Sequence, residues 1–209
     1  LILVGPKSRT VLSQLTSQNL NNNDFPWLKG KEILINKIPV RALRVNYVGE
    51  LGWELHHPMD QMVSLYDAIY EVGKKENIVN FGTYAVNSMR MEKAYRGWGS
   101  ELTGEISLVE AGMDRFFNLK KKNNFFGAKA LQEKVQSGVD IKLVYLDVDA
   151  DNADAMGNEP IYHKNKIVGV TTSGSYGFRV KKSLAFAYVK SDLTNVGSEL
   201  EIAIQGQRR

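Results

Sequence analysis

Apolar residues open the chain as an unbroken run, Leu1-Ile2-Leu3-Val4, closed by Gly5-Pro6, and this predicts a buried strand. Pro6 stands where a first helical turn tolerates it, and Val11, Leu12 and Leu15 then recur at helical spacing until Asn21-Asn22-Asn23 breaks the pattern. A strand, a helix and a loop follow. Ile33-Leu34-Ile35 and residues 40–46 read as neighbouring strands. In 44–55, Val45, Tyr47, Trp53 and Leu55 are strand formers, while Gly49 and Gly52 permit a bend, so the stretch reads as a hairpin. A four-residue loop over 49–52 would set Val48 opposite Trp53 and Tyr47 opposite Glu54 on one sheet face. Met62, Leu65, Ile69 and Val72 then form an apolar stripe on a helix predicted over 59–75, a pattern that serves a core far more often than a cofactor.

Thr83 is placed to cap a second long helix, to about residue 95, and Ser107 with Glu110 has capping-box spacing for a short further one. A helix over 127–136 stops at Ser137-Gly138, which reads as a hinge. The texture then changes. Val144, Leu146 and Val148 alternate with other residues, Lys164-Asn165 reads as a turn, Ser173-Gly174-Ser175-Tyr176 as another, and strands are expected over 166–171, 184–189 and 200–204. The fold class is α+β, with one domain over 1–138 and a mostly β domain over 139–209.

The 209 residues, 43% of them hydrophobic, suffice for one large or two small cores. No apolar run is long enough to span a membrane as a helix, and the first residues lack a signal-peptide pattern. With no cysteine, disulfides, thiol nucleophiles and cysteine-bound zinc are excluded. The net charge of +4 is modest, and Lys120-Lys121-Lys122, the one three-residue basic run, reads as a solvated turn before a helix rather than a nucleic-acid patch. No GxGxxG fingerprint and no internal repeat occur. His56 and His57 are adjacent on an extended segment and point to opposite faces, poor geometry for a metal. Glu101, Glu105 and Asp114 read as surface or capping carboxylates, and Arg96 as an i,i+4 partner of Glu92.

Residues 44–55 and 80–99 together resemble the tetrahydrofolate-binding region of dimethylglycine and sarcosine dehydrogenases, within the wider family of the glycine-cleavage T protein, an aminomethyltransferase. Leu108-Val109-Glu110-Ala111-Gly112, Phe126-Gly127-Ala128-Lys129-Ala130-Leu131 and Thr171-Thr172-Ser173-Gly174-Ser175-Tyr176 extend the resemblance over most of the chain. It implies a T-protein-like folate-binding fold with a carboxy-terminal antiparallel β-barrel-like domain. It also implies that the chain is a fragment, short of part of its first domain and of the last barrel strand, so that an unpaired edge is expected near 199–204.

The same resemblance assigns residues. It maps Glu54 onto the glutamate that binds the pterin ring, a role its chemistry suits: an ionised carboxylate accepts a ring N–H and an amino N–H in parallel. It maps Tyr47 onto a tyrosine lining the folate pocket, and it makes Leu51, Gly52 and Trp53 sources of loop surface and backbone groups. Tyr95, with Arg96 and Trp98 beside it, would border the same cavity. Val86 departs from T proteins, which carry a folate-binding arginine at the matching position, and the departure agrees with the dehydrogenase branch. The family's catalytic aspartate has no counterpart here, so no catalytic residue is assigned.

The function implied is capture by tetrahydrofolate of the one-carbon unit released when an upstream FAD domain of the same polypeptide oxidises an N-methyl amine. Alternatives are a stand-alone aminomethyltransferase, a folate-dependent demethylase, and a non-catalytic regulatory subunit of the same fold. The partners implied are a small-molecule folate and the FAD domain, with no nucleic acid, membrane or metal. The location implied is the mitochondrial matrix for a eukaryote and the cytoplasm for a bacterium.

Overall fold

The computed structural model describes residues 1–121 and 125–209, so Lys122 of the basic run lies outside the described residues. The chain forms two compact units, Leu1–Val86 and Asn87–Arg209.

The first unit is a four-stranded antiparallel sheet in the order β1-β4-β3-β2, built from β1 (Ile2–Val4), β2 (Gly30–Ile35), β3 (Ile38–Leu43) and β4 (Gly52–His56). Period-two alternation sorts its side chains. Leu3, Ile33, Ile35, Val40, Ala42, Trp53 and Leu55 are buried in one core with Val11 and Leu12 of helix α1 (Ser8–Ser13) and Leu65 and Ile69 of helix α2 (Met62–Gly73). The opposite face carries Ile2, Leu34, Arg41, Glu54 and His56, and Ile2 and Leu34 are more than half exposed there. Asn36 and Lys37, both at positive φ, make the tight turn between β2 and β3. The stripe predicted on α2 is a core stripe, except that Met62 at its first position is exposed.

The hairpin predicted over 44–55 forms between β3 and β4, but its loop runs over 44–51 instead of the four residues 49–52, so the predicted register fails. β3 ends at Leu43, and β4 pairs with β3 on one side and β1 on the other, so Glu54 stands between Leu43 and Ile2 instead of opposite Tyr47. Asn46 supplies the reason. Its Oδ1 accepts the N–H groups of Val48 (3.0 Å) and Glu50 (3.4 Å), and its Nδ2 donates to the Glu50 carbonyl (2.6 Å). With Gly49 at φ 69°, the side chain folds residues 46–50 into a loop and takes the backbone groups a strand ladder would need.

Helix α3 (Thr83–Glu92) runs across the boundary between the units. The second unit then holds helix α4 (Ala128–Ser137), bracketed by Gly127 and Gly138 at positive φ, and a six-stranded antiparallel sheet in the order β10-β9-β6-β7-β8-β5. Its strands are β5 (Ile141–Val148), β6 (Pro160–His163), β7 (Lys166–Gly177), β8 (Lys182–Lys190), β9 (Glu201–Ile204) and β10 (Gln207–Arg208). Val148, Ile161, Val168, Ala185, Ala187, Val189, Ile202 and Ile204 form its main core. Lys164 and Asn165 make the expected turn, both at positive φ.

Three expectations fail in this unit for local reasons. Residues 173–176 belong to strand β7 and not to a turn; a Cβ on Gly174 would lie 2.2 Å from the Ala155 carbonyl oxygen, so this glycine answers a close approach of backbone. Ser107 and Glu110 do form reciprocal capping bonds, at 2.7 and 3.4 Å, but only a single turn follows, with Glu110 held by Lys134 at 2.9 Å. The far edge of β9 is not unpaired, because β10 folds back on it through Gln205-Gly206.

Candidate functional site

The candidate residues of the first unit lie on β4 and the loop before it. Gly52 pairs with Val4, and a Cβ there would stand 2.5 Å from the Leu3 carbonyl oxygen and 2.9 Å from the Val4 Cα. Its missing side chain therefore admits strand β1. The Leu51 carbonyl is doubly committed, accepting the Gly5 N–H at 2.8 Å and the Ser8 hydroxyl at 3.0 Å. Trp53 is fully buried, edge-on to Phe25 at 6.1 Å, with the guanidinium groups of Arg9 and Arg44 each 6.0 Å from its ring. Its side chain is core and offers a ligand no surface. Burial, and secondarily the charge of Arg9, lowers the pKa of Arg44.

Glu54 leaves β4 on the other face. Its side chain is one-third exposed, and its Oε2 lies 3.3 Å from His56 Nε2. That is its one hydrogen-bond or ion-pair partner among the described residues, where Oε1 accepts no hydrogen bond. Arg41, directly across from His56, is instead engaged by Glu32 at 2.9 Å. Tyr47 is 39% exposed on the loop. A groove of about 360 Å³ runs beside the free edge of β1, walled by Ile2, Leu55, Tyr66, Tyr70, Phe81 and Val86. Neither Tyr47 nor Glu54 lines it. Val86, the position of the departure from T proteins, does. His57 Nδ1 faces the Pro58 carbonyl at 2.8 Å, and no cluster of metal-ligating side chains occurs among the described residues.

Tyr95 belongs to the second unit, half-buried, with its backbone N–H on the Arg90 carbonyl and its own carbonyl on the Arg90 guanidinium, both at 3.0 Å. Trp98 is 84% exposed. Arg96 does not pair with Glu92; its guanidinium holds the carbonyls of Ala94, Ala111 and Gly112, while Glu92 accepts the Arg179 N–H at 2.7 Å.

The polar centre of this unit is a residue that sequence reasoning placed at the surface. Glu101 is fully buried. Its Oε1 accepts the hydroxyls of Thr172 (2.6 Å) and Ser173 (2.5 Å), and its Oε2 accepts the Gly97 N–H (2.6 Å), the Ser100 hydroxyl (3.0 Å) and Arg90 Nη1 (3.0 Å). A register shift between Thr171 and Ser173 makes this possible, since consecutive strand residues otherwise point to opposite faces. Burial alone would raise the Glu101 pKa, but the bonds from Ser173, Thr172 and Gly97 and the charge of Arg90 reverse the effect and hold it below the usual carboxylate value. Tyr188 donates to the Glu101 carbonyl at 2.7 Å, and burial, then the carboxylate, pushes its phenol far up. Every acceptor of Glu101 is occupied by protein, so it fastens the unit and has no capacity left for a ligand.

Two family models match this architecture in sequence: the GCVT N-terminal domain over residues 1–121, and the glycine cleavage T-protein C-terminal barrel domain over 142–209. The chain belongs to the glycine cleavage T-protein family. It is 45% identical over 205 residues to mitochondrial dimethylglycine dehydrogenase of Homo sapiens, covering 98% of this chain and 24% of that protein. It is 34% identical to human mitochondrial sarcosine dehydrogenase over 88% of this chain and 20% of that protein. The chain thus spans about a quarter of the length of these relatives. The crystal structure of glycine cleavage system aminomethyltransferase T from Bartonella henselae superposes with a TM-score of 0.84 at 23% identity, over 98% of this chain and 55% of that one, which establishes the fold. No helix among the described residues is long and apolar enough to cross a membrane.

Proposed function

We propose that this chain binds tetrahydrofolate and positions it to accept a one-carbon unit from an oxidised N-methyl amine, dimethylglycine or sarcosine, giving 5,10-methylenetetrahydrofolate. The observation that carries the reading is Glu54. The resemblance maps this glutamate onto the pterin-binding one, and it projects from the sheet face opposite the core with one carboxylate oxygen free of hydrogen bonds among the described residues. A carboxylate so placed accepts two parallel N–H donors, which is the hydrogen-bonding edge a pterin presents.

Tyr47 supplies a ring to pack on the heterocycle and a hydroxyl to bond it. Leu51, Gly52 and Trp53 contribute main chain, since the structure commits the Trp53 side chain to the core. Tyr95 is retained as a contact on the resemblance alone. The division of labour falls at 138/139, supported by the spans of the two family models. An FAD domain upstream in the same polypeptide, when present, supplies the oxidation; the residues of this chain hold the folate amine against the electrophile and keep water from it. Val86 supports the dehydrogenase branch over plain aminomethyl transfer, because valine offers no charge where a folate-binding arginine would stand. The mitochondrial names of the relatives support a matrix location if the source is a eukaryote, and a bacterial source would place the protein in the cytoplasm.

The test is product partition in the full-length protein. Per amine oxidised, wild type should yield methylenetetrahydrofolate, and Glu54→Gln should release formaldehyde. An unchanged ratio would overturn the assignment.

A further inference from the structure

Glu54 and His56 stand two residues apart on β4 and so leave the sheet on one face. The groups around them leave the carboxylate few alternatives. Glu54 is flanked by apolar Ile2 on β1 and Leu43 on β3. Arg41, the cation nearest in register, spends its guanidinium on Glu32. Among the described residues, His56 is the one hydrogen-bonding partner of the carboxylate, and it meets Oε2.

The terminal torsion of a glutamate is broad, so an unpartnered carboxylate samples many orientations, and a ligand must select one. Each carboxylate oxygen has two lone pairs. With Nε2 protonated and directed at the outer lone pair of Oε2, the plane of the group would be fixed and the inner pairs of both oxygens left side by side. That arrangement fits a heterocycle edge with adjacent ring N–H and amino donors. Resting on the folate reading above, we propose that His56 is the positioning residue for Glu54, orienting its carboxylate to accept the paired N–H donors of a 2-amino-4-oxo pyrimidine edge.

The experiment titrates tetrahydrofolate calorimetrically into the full-length protein and three variants, His56→Leu, His56→Gln and Glu54→Gln. His56→Leu keeps bulk and removes the donor, and its affinity should fall about fivefold, the effect of one net hydrogen bond. In His56→Gln a side-chain amide N–H reaches the same place, and affinity should recover to within about twofold of wild type. Wild-type affinity in His56→Leu, with Glu54→Gln weakened, would overturn the role of His56 and leave the pterin anchor standing. Loss in both His56 variants alike would also overturn it, since shape and not the donor would then matter. Wild-type affinity in Glu54→Gln would remove the anchor and this inference together.

Discussion

Arg90 and Glu101 form an ion pair at 3.0 Å with side chains 5% and 0% exposed, and four further donors fill the remaining positions on the carboxylate. A buried pair of this kind stabilises little relative to apolar residues of the same volume, yet losing one partner strands the other's charge. Glu101→Gln should therefore destabilise the protein by about 3 to 5 kcal/mol, read from urea midpoints. Replacing both, as Arg90→Met with Glu101→Leu, should cost less than the two single changes added together. Additive costs would show that the pair is not the unit of stabilisation.

Acid stability follows from Glu101 and two further carboxylates outside its cluster. Glu101, Glu110 and Glu159 all have pKa values held below the ordinary carboxylate value, by hydrogen bonds and pairing that outweigh burial. Between the folded and unfolded values the unfolded chain binds more protons, so stability rises with pH there and is constant above it. Unfolding midpoints should be flat from neutrality down to about pH 5 and then fall as pH drops through the lowered values. Glu101→Gln, less stable throughout, should show a shallower acid slope. An equal slope would remove Glu101 as a contributor.

Gly52→Ala tests the contact between β1 and β4. Its Cβ would meet backbone of both Leu3 and Val4 at under 3 Å, so the strands must separate. The expected cost is about 1 to 3 kcal/mol, with faster amide exchange at Leu3 and Leu55. Wild-type stability would show that β1 accommodates the methyl group by moving.

Much of the fold is legible in the sequence wherever one residue's pattern decides one element. The alternation of Val144, Leu146 and Val148 gives β5, and Leu65 and Ile69 give the buried stripe of α2. Two errors arose where a local signal competes with another. Val45 and Tyr47 favour a strand by propensity, but Asn46 between them captures the backbone N–H groups and closes a loop. Gly174 looks like turn chemistry, but it serves a close approach of Ala155, a contact between segments that composition does not encode. Glu101 was out of reach for a related reason: besides its neighbour Ser100, its hydroxyl partners Thr172 and Ser173 are 71 and 72 residues away, and a strand bulge brings both to one side. At the candidate site, Glu54 is singled out by the resemblance alone, and strand periodicity already puts His56 on the same face, but only the folded side chains bring Nε2 within 3.3 Å of the carboxylate.

The central claim is that Glu54 anchors a pterin, and affinity measures it most directly. Calorimetric titration of the full-length protein with tetrahydrofolate should show Glu54→Gln weaker by about 2 to 4 kcal/mol, roughly thirtyfold or more, because one acceptor becomes a donor and the charge is lost. Equal affinity in wild type and Glu54→Gln would contradict the account.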